Sequence, residues 1–73
     1  MKVKKDVKFL LKILYDELNF NVKLIDKYDR NCKTALSIGN VDTAMFYDRH
    51  CRRLEDEIRR IITTINEIEK RVS

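Results

Sequence analysis

The chain of 73 residues contains no proline, no tryptophan and a single glycine, Gly39. Proline and scattered glycine are what interrupt long helices and shape the tight turns of β-proteins, so their scarcity excludes most all-β and loop-rich folds. Soft metal ligands are equally scarce: one histidine, His50, and two cysteines, Cys32 and Cys51, with no C-x-x-C pair. A structural zinc site takes four convergent ligands, and neighbouring helical residues such as His50 and Cys51 point about 100° apart, so no metal or other cofactor is expected. Two cysteines without a secretory context indicate reduced thiols and a cytoplasmic location rather than a disulfide.

No long apolar run is present either. Lys12, Asp16, Glu17, Lys23 and Asp26 interrupt the most hydrophobic region, so no segment is expected to span or enter a membrane. The opening MKVKKDVKFLLKILYDELNF places basic residues ahead of apolar ones, as a signal peptide does. Charges break its apolar stretch and no small-residue cleavage site follows, so it is read as part of the folded chain.

Charged residues make up 38% of the chain and hydrophobic ones 44%, a balance that suits long amphipathic helices, and the fold class is expected to be all-α. A chain this short forms one domain, and its core is marginal because a small domain buries only about 60% of its unfolded surface. The net charge of +4 lies in the first half: residues 1–40 carry nine Lys/Arg against five Asp/Glu, while residues 41–73 carry seven of each.

From Thr43 onward the apolar positions Ala44, Tyr47, Cys51, Leu54, Ile58, Ile61, Ile65, Ile68 and Val72 follow one another at alternating intervals of three and four. This heptad spacing predicts a helix whose narrow stripe packs coiled-coil fashion on another helix. Isoleucine at both kinds of seam position in the second half leans toward assemblies of more than two helices. The first half carries a matching seam in Val7, Leu11, Leu14, Leu18, Asn21, Ile25, Tyr28, Cys32 and Ala35.

Between the seams stands S-I-G-N-V-D-T. Gly39 suits the left-handed position that ends a helix, Asp42 is placed as the N-cap of the next one, and Val41 and Phe46 are placed as a hydrophobic staple. The expected architecture is therefore an antiparallel two-helix hairpin of coiled-coil type. It comprises a helix over about 3–38, a turn over about 39–42 and a helix over about 43–72, within one domain covering residues 1–73. Folding there sets Tyr28 near Cys51, Asn21 near Ile58 and Leu14 near Ile65.

Phe9, Ile13, Phe20 and Leu24 form a second apolar row on a different side of the first helix, which the same partner helix cannot cover. With Ile62 of the second helix they are expected to remain exposed and to drive two hairpins into a homodimeric four-helix bundle. Asn21, a polar residue within the seam, is assigned to fixing register, because few alignments satisfy a buried amide.

Catalytic readings fare poorly. His50-Cys51 resembles the start of the phosphatase loop H-C-x-x-x-x-x-R, but Glu57 occupies the arginine position and the glycines that aim backbone N–H groups at phosphate are missing. Asp48, Glu55 and Asp56 each precede an arginine by four residues (Arg52, Arg59, Arg60), the order that favours ion pairs along a helix rather than an acid–base dyad in a cleft. No enzyme activity is expected.

The expected function is a small protein–protein interaction module, a regulator or inhibitor of the kind found in bacteria, phages and mobile elements. Its contacts are assigned to Phe9, Ile13, Phe20 and Leu24 with the flanking Lys5, Lys8 and Lys12. The alternative is RNA or DNA binding through the stripe Arg49, Arg52, Arg53, Arg59 and Arg60. Plasmid copy-number proteins, which bind RNA loops as helical-hairpin dimers, are similar in architecture alone. No aromatic side chains are expected to interleave with that stripe. Residues 35–47 also resemble the glycine-containing bend of helical-repeat and microtubule-interacting-and-trafficking hairpins, a likeness that implies a helical turn and no function.

Overall fold

Continuous three–four spacing on both sides of one glycine leaves the chain little choice beyond two rods and a bend. The computed structural model describes residues 2–72, with side chains from residue 6 onward, and shows that arrangement. Helix α1 (Lys2–Ser37) and helix α2 (Val41–Val72) pack against each other, and no strand occurs among the described residues. The hairpin is a rod of 57 × 15 × 13 Å.

The turn is built by Gly39 and Asn40. Gly39 adopts φ 78°, the left-handed conformation in which a Cβ would be strained. The Asn40 N–H then donates to the Ala35 carbonyl at 2.8 Å and the Gly39 N–H to the Leu36 carbonyl at 3.1 Å, the pair of bonds that satisfies a helix C-terminus in a Schellman motif. Asn40 also opens α2: its Oδ1 accepts from the Thr43 N–H at 3.2 Å and its carbonyl from the Ala44 N–H at 3.1 Å.

The N-cap is thus Asn40 and not Asp42, and α2 begins at Val41. One residue closes the first helix and caps the second, so the connection is tighter than the sequence pattern alone indicated. Asp42 falls inside the first turn of α2, where its carboxylate meets the positive end of the helix dipole; Lys70 and Arg71 sit at the opposite end. Val41 and Phe46 occupy the first and sixth helical positions rather than staple positions, and both are exposed.

The shorter turn also shifts the pairing. Tyr28 packs its ring on Tyr47 and His50, at centroid distances of 5.8 and 5.4 Å, while the Cys51 thiol faces the Ile25 carbonyl at 3.9 Å. Cys51 therefore meets α1 about one helical turn before Tyr28. Every seam residue of α1 is buried or half-buried, and so is every seam residue of α2 except Val72. The apolar side chains most withdrawn from water are Ala35, Ala44, Cys51, Ile61 and Ile65, a thin core whose two isoleucines contribute roughly 1.5–3 kcal/mol each.

Candidate functional site

The outer row of α1 stands where its spacing places it, roughly 120° around the helix from the seam. Phe9 and Phe20 are 66% and 64% exposed and Ile13 is 46% exposed. Leu24 differs: it is half-buried, because the stripe drifts around α1 and its last member leans toward the seam. Lys8 and Lys12 are exposed beside the row, and the side chain of Lys5 lies outside the described residues.

The two sides of the hairpin are distinct. Tyr28, Tyr47 and His50 meet on the side that carries the α1 row, whereas Cys32, Leu36, Val41, Ala44, Met45 and Asp48 line a groove on the opposite side. The Tyr15 hydroxyl, which donates to Glu69 Oε1 at 3.2 Å, belongs to that second side. Ile62, seven residues from both Glu55 and Glu69, lies there too, and so does not extend the Phe9 row. Partial desolvation, then the Glu69 charge and the hydrogen bond to it, raise the Tyr15 phenol above its ordinary range.

The arginine stripe is only partly neutralised. Arg52 pairs with Asp48 at 3.1 Å, and Arg59 with Asp56 at 3.8 Å instead of with Glu55, which leaves Arg60 without the acidic partner its spacing suggested. Arg49, Arg53 and Arg60 form no ion pair among the described residues. Phe46 sits among them: its ring meets His50 edge-on at 4.5 Å, and Phe46, Arg49, His50 and Arg53 enclose a groove of about 320 Å³. An aromatic does interleave with the basic groups, contrary to the expectation from the sequence. The signal that would have found it is the 46, 49, 53 spacing, which sets the ring one and two turns before two arginines.

A larger open groove of about 480 Å³ is lined by Val22, Lys23, Ile25, Asp26, Asp29, Cys51 and Glu55. Two of its carboxylates are engaged along α1, Asp26 with Arg30 at 3.5 Å and Asp29 with Lys33 at 3.1 Å. Among the described residues no group of three or more His, Cys, Asp or Glu side chains is arranged to hold a metal ion. Nor is any helix among the described residues long and apolar enough to cross a membrane.

Both cysteines are free thiols. Cys32 donates to the Ala44 carbonyl at 3.3 Å and is half-buried, whereas Cys51 is buried. Burial first, then the nearby Asp29, Cys32, Asp48 and Glu55, push the Cys51 thiol above its ordinary range. The fold thus favours the neutral thiol; that contribution to stability is complete below the ordinary thiol range and is lost as pH rises from there through the raised value. Because the thiolate is the reactive species, a thiol-alkylating reagent near neutral pH is expected to modify Cys32 several-fold faster than Cys51 in the folded protein. Equal rates by peptide mass mapping would mean that the seam opens faster than the reagent reacts.

Comparison with protein-family models, with curated proteins and with solved structures finds no match to this chain.

Proposed function

We propose that the chain is a non-enzymatic protein–protein interaction module, a regulator or inhibitor of bacterial, phage or mobile-element type, that self-associates as a dimer of hairpins in a four-helix bundle. The observation that carries this reading is the pair of phenylalanines, Phe9 and Phe20, standing two-thirds exposed on one line with Ile13. Large apolar side chains aligned on one face of so small a molecule mark an association surface. Lys8 and Lys12 flank that line and supply cationic contacts for a second, acidic protein.

Sedimentation velocity at micromolar concentration tests the self-association. The wild-type chain is expected to run as a dimer, and the double variant F9S/F20S as a folded monomer that also loses whatever partner the tagged wild-type protein captures. A folded wild-type monomer would overturn the dimer.

A second reading, binding of RNA or DNA, is supported by the Phe46 ring beside the unpaired Arg49 and Arg53. Stacking on an aromatic and charge on the backbone are what single strands require. It predicts binding that weakens steeply as salt rises, through release of counterions. No binding to heterogeneous RNA at low salt leaves the protein-interaction reading in place.

A further inference from the structure

The row on α1 has a symmetry of its own. Its members are separated by four, seven and four residues, so the spacing reads the same in both directions. In two antiparallel helices related by a two-fold axis, residue i faces residue j of the other copy whenever i and j add to a fixed number. For the sum 33, Phe9 faces Leu24 and Ile13 faces Phe20, each pair occurring twice, and no other sum pairs all four residues. The axis then passes between Asp16 and Glu17.

The charges choose between this arrangement and a parallel one. Asp6 and Lys27 also add to 33, and both are exposed and form no ion pair within the described chain. Antiparallel pairing sets each against the other at both ends of the row. Parallel pairing matches the apolar row equally well, but sets Asp6 against its own copy and Lys27 against its own copy, and it aligns the helix dipoles unfavourably. The antiparallel register has electrostatic costs of its own, the meeting of Asp16 and Glu17 from both copies near the axis and the approach of Lys12 to Lys23 of the other copy. Adjacent residues lie about 100° apart, so the two step to opposite edges of the row, and Lys12 and Lys23 share the edge of Asp16.

We infer that the occupant of this face is a second copy of the chain, packed α1 against α1 in antiparallel fashion about an axis between residues 16 and 17, with Asp6 and Lys27 paired across the interface. This rests on the self-association proposed above. Each α1 then sits at a corner of the assembly, with its own α2 on one side and the other α1 on the second.

The test is a charge reversal read as a dimer dissociation constant at low salt. Each of D6K and K27D turns two attractive pairs per dimer into two repulsive ones, and each is expected to weaken dimerisation about tenfold; the double variant D6K/K27D is expected to return within about threefold of the wild type. Both positions are solvent-exposed, so the helices remain intact, as circular dichroism will show. A wild-type dimer that neither single variant weakens would overturn the register and leave self-association standing. A wild-type chain that stays monomeric would overturn both.

Discussion

Replacing Ile65 by alanine is expected to lower the melting temperature by at least about 10 °C, the largest loss of any single seam substitution. Ile65 is 3% exposed, in the half of α2 where the chain runs Ile58, Ile61, Ile65, Ile68. Cutting a buried isoleucine back to alanine costs about 2–5 kcal/mol, the lost transfer energy plus the cavity left behind. Against a total stability of about 5–15 kcal/mol for a natural domain, and with so few side chains fully withdrawn from water, that is a large fraction of what holds the hairpin closed. The control is Ile62→Ala three positions away, on an exposed residue of the side opposite the Phe9 row, where the change should stay within about 0.5–1 kcal/mol. Thermal melts of the two variants at one protein concentration decide it. Equal losses would mean that the heptad stripe is not the core.

The contrast between Ile62 and Ile65 also marks how far the sequence could be read. Heptad intervals depend on residue type alone, and the seams they identify are, Val72 excepted, residues that the two helices withdraw from water. Gly39 was legible for the same reason, since one conformation favours one residue. Asn40 was not, because asparagine and aspartate cap a helix almost equally well, and only the position of the preceding Schellman turn determines which of Asn40 and Asp42 lies at the boundary. Once that boundary moved, the pairing moved with it: a shift along an antiparallel hairpin carries every cross-helix contact along, which is why Tyr28 meets His50 and Cys51 meets Ile25.

The surface was harder to read than the seam. Whether Arg59 takes Glu55 or Asp56 is a choice between two exposed rotamers of similar energy, since either spacing is worth only about 0.2–0.5 kcal/mol. The packing of Tyr28 on Tyr47 and His50 joins α1 to α2, a contact that no intrahelical spacing encodes. The Tyr15–Glu69 hydrogen bond joins residues near the two chain ends through long side chains, and it too has no local signature. Faces set by periodicity were therefore legible, and contacts set by side-chain reach were not.

Asn21 gives the second large expected effect, and its sign is opposite: Asn21→Leu should raise the melting temperature by several degrees. Asn21 is 7% exposed at a seam position, between Leu18 and Ile25 on the same stripe. Among the described residues its amide makes no hydrogen bond and no side-chain nitrogen or oxygen is wholly sealed without a partner, so the amide keeps a sliver of contact with water. That is a partly desolvated polar group with nothing to replace the lost water, a situation that costs about 1–3 kcal/mol. Leucine removes the cost and adds apolar contact to Leu18 and Ile25; at about 4–8 °C per kcal/mol for a chain of this size, the gain is easily measured. A polar residue retained at such a position restricts how helices can slide or add, because a leucine seam tolerates several alignments and an amide fewer. The same variant should therefore broaden the distribution of oligomers in sedimentation as it raises the melting point. A melting point that is unchanged or lower would mean that the amide is satisfied where it stands, and that its burial in the seam costs the hairpin nothing.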